Sequence, residues 1–319
     1  MGKQAKFSEV SEQVQKLLDA DMDNVSARRS AREAFKQIQL SIDHCLFKYC
    51  QKANTYYLMH IHNLGIARKL ASSGYGVFAM DYAGFGLSEG LHGYIPSFHK
   101  LVDDVVEHYS KVRENPEFLT LPSFLFGQSM GGAVALKVHL KQPDSWAGAI
   151  LVAPMCKIAD DMAPSWLVTQ VLIGVAKVLP KQKLVPMNDF TAMAFRDKKK
   201  IPLATYNVIA YKDKPRLGTA LELLRTTQEI ENELQEISLP LFILHGKADV
   251  VTDPSVSKAL YDKAKSSDKK LNLYDEAYHS LLEGEPDEMI LRVLGDIISW
   301  LDDHTKTTPT DLPIHDPTF

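Results

Sequence analysis

The pentapeptide Gly127-Gln128-Ser129-Met130-Gly131 constrains this chain more than any other stretch. It follows the apolar, β-prone run Ser123–Phe126 and opens the helical run Gly132-Ala133-Val134-Ala135-Leu136. Between a strand and a helix, Gly-x-Ser-x-Gly forms a tight, strained turn that wants small residues on both sides and lifts the serine Oγ above the sheet. In that context Ser129 is expected to be a nucleophile, with the Met130 N–H as one oxyanion donor.

The rest of the chain fits such a turn. Short β-rich runs at Tyr75–Met80, Ser123–Phe126, Ala149–Val152, Leu241–His245 and Leu271–Tyr274 alternate with helical patterns at Leu64–Ser72, Phe98–Glu114, Gly131–Lys141, Ser255–Lys265 and Glu285–Asp302. This alternation predicts an α/β fold with a mostly parallel sheet flanked by helices. One connection breaks the rhythm, since more than 80 residues separate Pro154 from Leu241. Connections that long carry their own secondary structure and usually function, and this one holds an apolar helical run at Trp166–Leu179 and a charged amphipathic one at Leu217–Ile237. Residues 155–237 are therefore expected to be a helical cap inserted between 49–154 and 238–303. Residues 1–48 read as an amphipathic helical region, and 304–319, with three prolines and no periodicity, as a disordered tail.

A nucleophilic serine needs a base, and the base an orienting carboxylate, in the chain order Ser, Asp, His. Asp249 lies just after the apolar run Pro240–Leu244, and His279 just beyond Leu271–Tyr274. Both therefore fall at strand ends, where ligand sites form in parallel sheets. Asp253 competes with Asp249 for the carboxylate role.

Composition narrows the partners. With 36 Lys and Arg against 40 Asp and Glu, the net charge of −4 lacks the basic footprint of a nucleic-acid binder. Three cysteines and no signal-peptide pattern at the N-terminus point to a reducing, cytoplasmic setting. Gly84-x-Gly86-x-x-x-Gly90 has the wrong spacing for a dinucleotide fingerprint and is expected to be a loop at the rim of the site. His60-x-His62 has no carboxylate or cysteine cluster beside it, so neither metal nor organic cofactor is expected. Arg196, Lys198, Lys199, Lys200, Lys212, Lys214 and Arg216 form a basic set in the expected cap, read as a solvated face with anionic membrane surfaces as the alternative.

At Gly65–Leu70, Asp81–Ser88, Gly127–Gly132, His245–Val251 and Tyr278-His279 the sequence resembles the α/β-hydrolase family, most closely its plant monoacylglycerol lipase and lysophospholipase-like branch. The resemblance spans roughly 65–303. It implies an α/β-hydrolase fold, Ser129, Asp249 and His279 as the catalytic triad, 155–237 as the cap, and a monoacylglycerol or lysophospholipid substrate, with a small phenolic ester such as caffeoylshikimate second. It also implies a small-molecule lipid ester as the partner; peripheral membrane contact through the cap is instead the alternative reading of the basic set.

One departure stands out. The family carries first strands and a His-Gly-x-Gly oxyanion loop ahead of the helix that starts here at Leu64. Tyr49–Asn63 stands in their place, and His62 has no Gly-x-Gly after it. Thr55–Ile61 is β-prone enough to fill an empty strand position, but it supplies no second oxyanion donor. An impaired enzyme, or an inactive one that binds or regulates, is the expected consequence.

Overall fold

The computed structural model describes residues 12–46, 64–157, 166–185 and 190–305. Helices α1 (Glu12–Leu18), α2 (Val25–Leu46), α3 (Leu64–Ser72) and α4 (Phe98–Arg113) precede β1 (Phe124–Gln128). Then come α5 (Met130–Lys141), β2 (Gly148–Val152), α6 (Trp166–Val178), α7 (Phe190–Ala194), α8 (Ile201–Thr205) and α9 (Leu217–Asn232). The chain closes with β3 (Leu241–Gly246), α10 (Pro254–Lys263), β4 (Lys269–Tyr274) and α11 (Asp287–Thr305). The expected Thr55–Ile61 strand and the His60-x-His62 pair lie outside the described residues, as does the tail from 306 on. Residues 304 and 305, expected to begin that tail, belong instead to α11.

The four strands form one parallel sheet in the order β1-β2-β3-β4, with Phe124 opposite Gly148, Ala149 opposite Leu241 and Leu241 opposite Lys269. Strands β2 and β3 are buried on both faces, which is why they read as unbroken apolar runs. Their residues alternate between two cores. Ala149, Leu151, Leu241 and Ile243 pack with Val102 of α4, Leu136 of α5 and Leu260 of α10. Ile150, Val152, Phe242 and Leu244 pack with Ile66 of α3 and with Val293 and Ile297 of α11. Local signals set the helix starts: Ser97 accepts from Lys100 N ahead of α4, and Asp253 accepts from Ser255 N ahead of α10, whose first residue is Pro254. Each such cap stabilises its helix by about 1 kcal/mol.

Tyr75–Met80 differs from expectation. It forms no ladder and runs beside a cavity of about 920 Å³ lined by Tyr75, Val77 and Phe78 as well as by Phe124, Leu125 and Phe126. Strand β1 pairs only with β2 among the described residues. Ser123 O and Ser129 N both bond toward β2. By the alternation of a parallel ladder, the N–H and C=O groups of Phe124, Phe126 and Gln128 point to the other edge. A segment cannot register as a strand without a neighbouring ladder, however β-prone its sequence.

The helices α1 and α2 do not stand apart from the fold. Leu18, Ala31 and Phe35 form a small core with Val208 and Ile209. Arg28, fully buried, donates to Gly86 O at 2.7 Å, Ser88 O at 2.8 Å and Met22 O at 2.8 Å. The glycine pattern there is thus a carbonyl-presenting loop: Gly84 has φ +81°, and a Cβ on it would meet Leu91 O at 2.6 Å. Asp23 accepts from buried Arg216 at 2.6 Å.

Candidate active site

The turn between β1 and α5 holds Ser129 at φ 52°, ψ −119°, a strained region for a non-glycine residue. Three main-chain bonds hold it: Ser129 N donates to Val152 O at 3.0 Å, and Ser129 O accepts from Gly132 N at 2.9 Å and Met155 N at 3.0 Å. A Cβ on Gly127 would meet Gly131 O at 2.3 Å, and one on Gly132 would meet Pro154 Cβ at 2.6 Å. Gly131 has open space instead, because it borders the cavity beside β1. The close packing that was expected to need small residues on both sides therefore falls on Gly127 and Gly132, not on Gly131.

Asp249 follows β3 and His279 follows β4, so all three expected residues sit at the carboxyl ends of parallel strands. His279 Nδ1 lies 2.7 Å from Asp249 Oδ2. Asp249 Oδ1 accepts from Val251 N at 2.7 Å and Thr252 N at 3.0 Å, and its Oδ2 accepts from Thr252 Oγ1 at 3.1 Å. Burial of Asp249 favours the neutral acid, but hydrogen bonds from His245 and His279 outweigh it and hold the carboxyl well below the usual carboxylate range. The group is an anion at any pH near neutrality. Asp253, the competing carboxylate, is engaged as the cap of α10. The structure records no hydrogen bond between Ser129 and His279.

Two residues of this cluster escaped the sequence reading. Thr252 Oγ1 lies 2.7 Å from His279 Nδ1. His245, with no exposed surface, places Nε2 3.0 Å from Asp249 Oδ2. The signal for His245 was present in His245-Gly246-Lys247-Ala248-Asp249, where a polar residue ends an otherwise apolar run. Gly246 is required where the two loops meet, since a Cβ on it would lie 2.3 Å from Ala277 O. Lys247 N donates to Tyr274 O and Ala248 N to Ala277 O, which lashes the Asp249 turn to the His279 loop.

The His279 loop is also gripped by the 155–237 segment. Ser280 N donates to Ala194 O at 3.0 Å and Asp197 N to Gly284 O at 2.9 Å. Lys200 Nζ donates to Glu285 O at 2.8 Å, and Arg196 pairs with Glu276 and Glu285. The basic set read as a solvated face is therefore partly internal: Lys200 and Arg216 are buried, whereas Lys212 and Lys214 are exposed.

The profile of the family described as "Serine aminopeptidase, S33" matches residues 61–287. The chain is 38% identical over 245 residues to caffeoylshikimate esterase of Arabidopsis thaliana, covering 76% of this chain and 73% of that one. It is 30% identical over 248 residues to monoglyceride lipase of Homo sapiens, covering 78% and 80%. Among solved structures, a soluble variant of monoglyceride lipase from Saccharomyces cerevisiae in complex with a substrate analog superposes with a TM-score of 0.68 at 21% identity, covering 79% and 83%. The monoacylglycerol lipase of Paleococcus ferrophilus superposes at 0.64 and 22% identity, covering 76% and 89%. These likenesses agree with the α/β-hydrolase fold expected from the sequence.

Proposed function

This chain belongs to the serine aminopeptidase S33 family of α/β-hydrolases, and from that premise we propose that it is a serine hydrolase of carboxylic esters, acting through an acyl-enzyme on Ser129. One observation carries the reading: a strained serine just after β1 lies at the same end of the sheet as a buried, ionised Asp249 just after β3, whose carboxylate meets His279 just after β4. In this mechanism His279 Nε2 takes the Ser129 proton as Oγ attacks the ester carbonyl, then returns a proton to the leaving alcohol. Asp249 holds Nδ1 protonated and stabilises the imidazolium. The Met130 N–H stabilises the oxyanion.

Monoacylglycerols or lysophospholipids are the proposed substrates, since lipases of monoacylglycerols recur among the relatives. Residues 155–237 act as the cap over the site, and their grip on the His279 loop supports that assignment. The cap also offers a surface for lipid: Val171 is 57% exposed and Val178 77%, both on α6. No helix among the described residues is long and apolar enough to cross a membrane, so contact would be peripheral. A small phenolic ester is the second reading, favoured by the 38% identity to caffeoylshikimate esterase.

The test is fluorophosphonate labelling beside a panel of monoacylglycerol, lysophospholipid and phenolic esters. Labelling lost in Ser129→Ala and in His279→Ala, with turnover falling to background in both, supports the reading; the two losses do not add, because the residues act as one unit. An unlabelled parent chain with no turnover of any ester would leave a binding or regulatory protein in its place.

A further inference from the structure

We propose that His245 is a positioning residue for this site, a second imidazole that fixes the Asp249 carboxylate against His279. The inference rests on the proposed reading of Ser129, Asp249 and His279, and it deepens that reading.

The geometry determines the tautomer. His245 Nε2 faces two acceptors, Asp249 Oδ2 at 3.0 Å and Thr252 O at 2.9 Å. A ring nitrogen between two acceptors has to carry the hydrogen. Nδ1 lies 2.6 Å from Ser257 Oγ, a group able to donate, so a neutral ring with hydrogen on Nε2 satisfies every contact. Ser257 is itself fully buried on α10. The chain Ser257–His245–Asp249–His279 then runs unbroken from α10 through the ends of β3 and β4.

Its consequence lies at Asp249 Oδ2. That one oxygen is shared by His245, Thr252 and His279. Each donor draws on the same negative charge, and hydrogen bonds to an ionised group are the strong ones. His245 keeps the carboxylate from tilting away from His279. Removing the Nε2–H leaves it held by Val251, Thr252 and His279 alone, free to tilt off the line to Nδ1. The imidazolium that forms on His279 during the reaction then loses part of its counter-charge. Among the described residues, the other charged groups near the pair include Asp253, across the turn, and Glu285 with Arg196 and Lys200 at the His279 loop. All stay unchanged in the variants below.

The experiment has two arms. In the first, the pH dependence of kcat/KM for a short-chain ester is compared for the parent, His245→Leu, which fills the space without a donor, and His245→Gln, which restores an N–H at the position of Nε2. His245→Leu should move the acid limb downward by about half a unit or more and lower kcat about 10-fold at an unchanged KM, the size of one hydrogen bond to a charged group. His245→Gln should recover most of both. A folded Leu variant with the parent's limb and kcat, or a Gln variant as impaired as Leu, overturns the proposal. The second arm needs neither a folded Leu variant nor turnover: nitrogen-resolved NMR of the parent's histidines should find His245 neutral with its hydrogen on Nε2. Finding it on Nδ1 overturns the proposal. An absence of ester turnover in the parent would count against the hydrolase reading, while the NMR result would still decide the role of His245.

Discussion

Glu285 Oε1 accepts the Tyr278 N–H at 2.6 Å, one residue before His279, from a side chain with no exposed surface. Burial raises the carboxyl of Glu285, and the Tyr278 N–H and the nearby Arg196 work against that rise. The same residue therefore meets the His279 loop on one side and the expected cap on the other. Glu285→Ala would orphan a main-chain donor at a cost of about 1–3 kcal/mol. We expect a lower urea midpoint together with reduced ester turnover, whereas the exposed Glu276→Ala should leave both near the parent's values. Parallel urea titrations and initial rates check this.

The exposed valines of α6 make a separable prediction. Val171→Ser with Val178→Ser should reduce co-sedimentation with phospholipid vesicles and slow turnover of vesicle-borne monoacylglycerol, while a water-soluble short-chain ester is hydrolysed at the parent rate. Equal loss on both substrates would mean that the helix acts through the fold rather than through lipid contact.

His92 gives a pH dependence of stability. Burial, with the charge of Arg28 nearby, lowers its imidazole to about 4 from an ordinary value near 6.5, and its Nε2 lies 3.1 Å from Ile209 O. The folded state thus binds this proton less readily than the unfolded chain. The sign follows from linkage: the neutral ring's contribution is fully present above about 6.5 and is lost as pH falls toward 4. His92→Gln retains an N–H for Ile209 O but cannot titrate, so its urea midpoint should fall less than the parent's between pH 7 and pH 5.

The departure at residues 49–63 predicts a turnover defect. If the Met130 N–H acts as the proposed oxyanion donor without a second one, grafting a His-Gly-x-Gly segment and its strand in place of 49–63 should raise turnover by about 100-fold to 1,000-fold, the worth of one such donor. The urea midpoint should rise as well, since the added strand would pair with the edge of β1 that no described strand covers. Equal turnover before and after the graft would show that another amide already fills the role.

Much of the fold could be read from spacing. The pentapeptide located the β1–α5 turn, and the double-sided burial of β2 and β3 made both conspicuous as apolar runs. Tyr75–Met80 misled because strand propensity is local, whereas a strand exists only with a partner. His245 was passed over because a lone histidine at the end of an apolar run looks like a packed residue until Asp249 is seen folded back onto it. Arg28 and Arg216 were hidden for a similar reason. An arginine on an amphipathic helix or in a basic cluster has the pattern of a solvated side chain, and only tertiary contacts reveal that its partners are carbonyl groups and Asp23.

Arg28 also bears on what could be moved as a unit. The family match begins at residue 61, yet the loop carbonyls of Gly86 and Ser88 are satisfied from α2, which ends at Leu46. A piece excised at the homology boundary would bare those oxygens and strip Phe35 from its seat against Val208 and Ile209. The inheritable module is larger than the recognisable one, and any recombination of this hydrolase with another chain must carry the second helix along.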